Sequence, residues 1–242
     1  MYADLVAGVE PAVVAIKCPD IGQSGSGFLI SPTGHVLTNN HVVAQIRLVA
    51  GKLERRYSDA IHVSINGRDY PVSLVNDPSA DPPMVYDYAI LKVEGLASAP
   101  CVQVGDLGSV KRGDDVICLG FPLDFDTLIA THGIVSALTS RPSHVNALHQ
   151  MRTVVSNALI QFGSSGGPML HVPSRKVVGI NTLKHAIHDV LSHSLRTWSS
   201  HPGAAAFPLI RDLVEYSLKY TYVGLHHAVS VEYALADPKW PK

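Results

Sequence analysis

"GSGFLISPTGHVLTNNHVV", residues 25–43, sets one short apolar run, "SGFLIS", against a second, "PTGHVLT", across a Pro-Thr-Gly break. Proline and glycine at a break between two apolar runs are turn signals, so the stretch reads as a β-hairpin closed by His41. The same texture continues outward in both directions. Runs rich in Val and Ile recur as "AVVAIK" (12–17), "IHVSING" (61–67), "YPVSLVND" (70–77), "YAILKVEG" (88–95), "DDVICLGFP" (114–122), "HGIVSAL" (132–138) and "KVVGINTL" (176–183). Each is too short for a typical helix and is bounded by Gly, Pro, Asn or Asp, which predicts strands. They follow one another without long helical segments between them, which favours an antiparallel barrel or sandwich over a parallel sheet.

One segment breaks the pattern. In "PLIRDLVEYSLKY", residues 208–220, Pro208 suits a first helical turn, and Leu209, Ile210, Leu213, Val214 and Leu218 share one helical face. A single amphipathic helix is therefore expected near the end of a β chain. The stretch from His185 to about Ala205 has no clean period and reads as a loop or irregular helix.

The 242 residues are 46% hydrophobic and 16% charged with a formal net charge of −1, the balance of a globular protein with ample core. That balance offers no electrostatic footprint for nucleic acid or an anionic membrane, and no apolar run is long enough to cross a bilayer. The first residues, "MYADLVAGVE", lack the basic and apolar regions of a secretory signal, so a cytoplasmic placement is expected, with a periplasmic or secreted one if the N-terminus was processed. Cys18, Cys101 and Cys118 are too few and too widely spaced for a disulfide scaffold, and Cys118 reads as a buried core thiol. His185, His188 and His193 cluster late in the chain and His226–His227 adjoin, but no acidic or Cys partners complete a ligand set, so neither metal nor cofactor is expected.

The chemistry gathers in "QFGSSGGPML", residues 161–170. Glycines on both sides of a serine let the backbone approach a substrate and turn its N–H groups toward a developing oxyanion. The same letters satisfy the nucleophile elbow of α/β-hydrolases, and an idle glycine turn is a third reading. Chain order separates them. His41 comes first, Asp87 of "VYDYAILKV" second and Ser165 third, which is the order of the chymotrypsin architecture; α/β-hydrolases run Ser, acid, His and need alternating helices.

On these residues the chain resembles the trypsin-like serine proteases, and within them the HtrA/Deg family. "GSGFLIS", "TNNHVV", "DYAILKV", "GDDVICLGFP", "HGIVSAL", "GSSGGPML" and "VVGIN" stand in the family's order from about Val9 to Tyr220, and "AAAFP" (204–208) resembles the family's F-A-I-P. The resemblance implies an all-β fold of two six-stranded antiparallel β-barrels, chymotrypsin-like, with a C-terminal α-helix. Residues 1–100 would form the barrel carrying His41 and Asp87, residues 101–220 the barrel carrying Ser165 plus the helix, and residues 221–242 a tail or packing strand. It further implies a Ser-His-Asp endopeptidase in which Ser165 is the nucleophile, His41 the base and Asp87 its partner, with Gly163, Ser164 and Ser165 at the oxyanion turn. Ser164 is the alternative nucleophile, disfavoured by its place in that turn. The substrate pocket would be walled by Leu159, Ile160, Thr182, Leu183, Ala205 and Ala206, with no Asp at its base, so small or medium aliphatic residues are expected before the cut. The partner would be a protein or peptide substrate. No PDZ domain is expected after the protease region, and the few residues before "VEPAVVAI" make the family's trimer an unexpected state. "AQIRLVAGKLERRYSD", residues 44–59, reads as an inserted solvated loop. A catalytically silent or partner-gated binding module is the alternative to an active enzyme.

Overall fold

The computed structural model describes residues 2–49, 52–122, 126–143, 148–182 and 225–242. Strands β1 (Val13–Cys18), β2 (Gln23–Leu29), β3 (His35–Thr38), β6 (His62–Ile65), β7 (Arg68–Leu74) and β8 (Ala89–Val93) close into one barrel in the order β1-β2-β3-β8-β7-β6. Strands β9 (Asp115–Gly120), β10 (Ile129–Pro142), β11 (Gln150–Ser156), β12 (Pro168–His171), β13 (Lys176–Thr182) and β14 (His226–Ser230) close a second, ordered β10-β11-β14-β13-β12-β9. All the strand pairs within both barrels are antiparallel. The expected all-β, two-barrel fold is the observed one.

Every second residue of a barrel strand points inward, and the apolar runs supply those positions. Val14, Ile16, Val63 and Leu91 share one face of the first barrel's sheet and Phe28, Leu37 and Ile90 the other, and all are buried; Val116, Cys118, Val135, Val154, Met169, Val178 and Ala228 belong to the core of the second. Closure leaves no barrel edge open to pairing with another chain. Helix α1 (Tyr2–Val9) lays Leu5, Val6 and Val9 against the first core, and its Tyr2 ring stacks on His132 of β10 at 4.6 Å.

Two segments differ from their reading in the sequence. Within residues 44–59, β4 (Ala44–Val49) pairs antiparallel with β5 (Lys52–Tyr57), Ala44 opposite Tyr57. Residues 226–230, expected in a tail or packing strand, are the closing strand of the second barrel, hydrogen-bonded to β11 on one side and to β13 on the other. "HHAVS" carries two polar histidines and only two apolar residues, so it lacks the Val/Ile signature by which the other strands were found. A one-turn helix, α3 (Glu232–Leu235), follows it. The helix expected at 208–220 lies outside the described residues, as do residues 204–207.

A closed barrel missing one strand leaves two rows of backbone groups unpaired, each buried group costing on the order of 1–3 kcal/mol. A chain ended after residue 224 is therefore expected to lose its cooperative thermal transition, read by circular dichroism. A native-like transition in that truncated chain would show that β14 is dispensable.

Candidate active site

His41 sits in a single 3-10 turn, Asn40–Val42, that follows β3 at the rim of the first barrel. Asp87 ends the short helix α2 (Pro83–Tyr86) in a left-handed conformation, φ 58° and ψ 49°, directly before β8. Strands β3 and β8 are paired, with Thr38 opposite Ala89, so the two turns leave the same edge side by side. The His41 Nδ1 lies 2.9 Å from Oδ2 and 3.0 Å from Oδ1 of Asp87, and the His41 backbone N–H donates to Oδ1 at 3.1 Å. The carboxylate is nearly enclosed, 7% exposed, while the imidazole is 31% exposed and open to the cleft. Asn39 reinforces the arrangement: its Nδ2 donates to the Asp87 carbonyl at 2.9 Å and to Thr182 Oγ1 of β13 at 3.1 Å.

Ser165 arrives from the second barrel in the loop before β12. Its carbonyl accepts the Ser26 N–H of β2 at 2.8 Å. A β-carbon placed on Gly25 would fall 2.8 Å from the Val42 side chain and 3.0 Å from the Ser165 carbonyl. The residue after His41 and the backbone of Ser165 thus meet at one point on β2. Ser26 adds a further tie, its Oγ donating to the Gly163 carbonyl at 2.6 Å and accepting the Phe121 N–H at 2.9 Å.

The glycines of "GSSGGP" follow from these contacts. At Gly166, φ +90°, a β-carbon would lie 2.0 Å from the Ser26 carbonyl oxygen and 2.2 Å from Thr38 Oγ1. At Gly167 it would meet the Leu119 carbonyl oxygen at 2.1 Å. The run that looked loose in sequence is glycine-rich because two barrels close on it.

Of the three residues expected at the oxyanion turn, Ser164 is not a free donor. Its N–H is spent on the Gln161 carbonyl at 2.9 Å, and its Oγ accepts the Gln161 N–H at 3.2 Å. Gly163 has φ +92°, and among the described residues its N–H meets no acceptor. The expected pocket residues are divided. Leu159 and Ile160 line a narrow cavity of about 40 Å³ with Cys118, Ile129 and Thr131. Thr182 instead faces Asn39, and its strand partner is His227 of β14. Leu183, Ala205 and Ala206 lie outside the described residues.

No thiol competes as a nucleophile in the buried regions: burial pushes Cys18 up to about 11 and Cys118 up to about 12, so both are protonated at neutral pH. His226 and His227 are neighbours on one strand and point to opposite faces, so they do not converge on one ion. His185, His188 and His193 lie outside the described residues. Sequence reading passed over Ser26 and Asn39 as positioning groups, although both stand in motifs it had singled out.

The family profile of the trypsin-like peptidase domain matches residues 25–180. This chain belongs to the trypsin-like peptidases. It is 38% identical over 169 residues to a DegP-like periplasmic serine endoprotease of Marinomonas sp. (strain MWYL1), covering 68% of this chain and 31% of that protein. It is 32% identical over 193 residues to the mitochondrial serine protease HTRA2 of Bos taurus, covering 75% and 38% respectively. The chain thus spans about a third of these curated relatives. Among solved structures, the HtrA-type protease AlgW with tripeptide superposes over 97% of this chain and 61% of that one, with TM-score 0.66 and 25% identity. Several relatives are named as periplasmic, which gives no support to the cytoplasmic placement expected from the N-terminus. Among the described residues no helix is long and apolar enough to cross a membrane.

Gly166→Ala is expected to destabilise the fold by about 3 kcal/mol or more, because two oxygen atoms must move. Ser26→Ala strands the Gly163 carbonyl and the Phe121 N–H, at about 1–3 kcal/mol by denaturant titration. A Gly166→Ala chain with native stability would mean the seam is looser than its contacts.

Proposed function

We propose that the chain is a serine endopeptidase working through His41, Asp87 and Ser165. The observation that carries the reading is the short bidentate contact of the His41 imidazole with an enclosed carboxylate, beside the β2 strand to which the Ser165 backbone is tied. In this reading Ser165 Oγ attacks the scissile carbonyl, forming a bond to carbon while His41 Nε2 takes the hydroxyl proton. Asp87 holds the imidazole in the tautomer that bears hydrogen on Nδ1 and stabilises the imidazolium. The N–H groups of Gly163 and Ser165 meet the oxyanion, a donor of this kind being worth about 2.7–4 kcal/mol. The tetrahedral species collapses by expelling the amine, which receives the proton from His41, and water then repeats the sequence on the acyl-enzyme.

The substrate is a protein or peptide segment. Small or medium aliphatic residues precede the cut, since a basic side chain finds no counter-charge at Leu159 and Ile160. The likeness to HtrA and DegP proteases supports the reaction class.

Two measurements test this. Ser165→Ala is expected to abolish labelling by a fluorophosphonate probe that the native chain accepts; persistent labelling would refute this nucleophile. A proteome-derived peptide library, read by mass spectrometry beside that variant, is expected to show cuts after residues such as Val, Ala or Leu. Cutting chiefly after Lys or Arg would overturn the pocket assignment. Absent labelling with an intact fold would favour a binding scaffold.

A further inference from the structure

Asp87 stands in the left-handed region at φ 58°, unfavourable for a residue with a side chain, and such a conformation persists only where its surroundings over-determine it. Residues 85–90 are held in that way from outside their own segment. Ser143, just beyond the end of β10, donates its Oγ proton to the Val85 carbonyl at 2.6 Å. The Tyr86 ring stacks on Tyr233 of α3, with centroids 3.9 Å apart and planes 5° from parallel. Tyr233 is itself pinned to β11: its hydroxyl accepts the Arg152 N–H at 2.8 Å and donates to the Gln150 carbonyl at 3.2 Å. On the other side of Asp87, the buried Tyr88 hydroxyl donates to Asp237 Oδ2 at 2.7 Å. The same oxygen accepts Asn76 Nδ2 at 3.1 Å, and Asn76 Oδ1 accepts the Ile90 N–H of β8 at 2.9 Å. Asp237 Oδ1 accepts the Lys239 N–H at 2.8 Å, so both carboxylate oxygens are engaged. Burial first, and the bond to Asp237 second, push the Tyr88 phenol above its ordinary value, so it stays a donor.

We propose that Asp237 and Tyr233 are positioning residues for the reaction: one holds Tyr88 and the other Tyr86, so that the backbone between them stays left-handed and the Asp87 carboxylate stays on His41. The inference rests on the triad reading above. A backbone conformation is fixed when the residues on either side of it cannot turn, and here both flanking rings are anchored. A buried phenol without an acceptor keeps its desolvation cost uncompensated, so losing Asp237 drives Tyr88 toward another partner. With Tyr88 released, the Asp87 backbone relaxes toward the right-handed or extended regions that side chains favour. The carboxylate then leaves His41 Nδ1, from which its oxygens stand at 2.9 Å and 3.0 Å. Asp237 acts through Tyr88 and Tyr233 through Tyr86; neither needs to touch substrate.

A proton held between an imidazole and a carboxylate resonates far downfield in proton NMR, which reads the His41–Asp87 contact without any substrate. The native chain is expected to show one such signal that His41→Gln removes. Asp237→Ala, Tyr233→Leu and Tyr88→Phe, the last removing only a hydroxyl, are expected to move that signal upfield or abolish it. The same variants are expected to slow the second-order rate of fluorophosphonate labelling at Ser165 about five- to thirtyfold. Asp237→Asn keeps an oxygen for the Tyr88 hydroxyl and is expected to restore most of the signal and the rate. Val63→Ala, a core truncation on β6, two strands away from β8, is expected to lower the melting temperature and leave the signal in place. If Asp237→Ala or Tyr88→Phe melts cooperatively and keeps the native signal and rate, the inference is overturned. Slowed labelling with an unmoved signal overturns it too, because the effect then bypasses Asp87. Absent labelling of the native chain removes the proposed function and this inference together, whereas native labelling with an unmoved signal in the variants removes the inference alone.

Discussion

The hydrogen bond from the Ser26 N–H to the Ser165 carbonyl, 2.8 Å long, ties the loop of one barrel to a strand of the other, and the geometry of the cleft depends on it. For that bond to form, the backbone at Gly166 must pass within touching distance of the Ser26 carbonyl and of Thr38, at a positive φ. Both demands exclude a side chain. Thr38 is itself held there, its Oγ1 donating to the Ser26 carbonyl at 2.7 Å, and it lies three residues before His41. The constraint that fixes the serine loop therefore also fixes the strand that delivers the histidine.

Asp87 meets a related demand at the opposite side of the histidine. A non-glycine residue in the left-handed region carries about 1–2 kcal/mol of strain, which Asp tolerates better than most. Here that conformation turns the carboxylate toward His41 while the carbonyl accepts Asn39. Charge-assisted bonds to a nearly enclosed carboxylate are individually worth more than the strain. Asn39 then couples this turn to Thr182, so the end of β13 and the start of β8 are joined through one side-chain amide.

How much of this was legible follows from which forces leave a mark on a single segment. Barrel strands such as Ala89–Val93 and Asp115–Gly120 announce themselves, because both ladder pairing and core packing demand Val, Ile and Leu. His41 and Asp87 drew notice for the same reason, each adjoining such a run, and Ser165 through its flanking glycines. The strand His226–Ser230 was not legible. Its seat lies beside Gly179, where a β-carbon would come within 2.8 Å of Ala228, so the barrel there needs a small residue rather than a large apolar one. Ser26 and Asn39 went unread because their partners, Gly163 and Thr182, lie more than a hundred residues away. The spending of the Ser164 N–H on Gln161 was equally invisible, since it depends on the loop's turn and not on its letters.

The division of parts between the barrels has a consequence for the chemistry. The first barrel supplies both His41 and Asp87, in contact with each other. That pair alone is a hydrogen-bonded imidazole; in the proposed mechanism it becomes a base for the Ser165 hydroxyl only when the 163–166 loop is pressed against β2. The same docking brings the end of β10 and the α3 segment onto the Asp87 turn through Ser143, Tyr233 and Asp237. A displacement of one barrel against the other would loosen the serine from its seat and the carboxylate from its support together. Reactivity in such a site is a property of the seam, and residues far from the scissile bond that fasten the seam belong to the catalytic problem as much as those that would touch substrate.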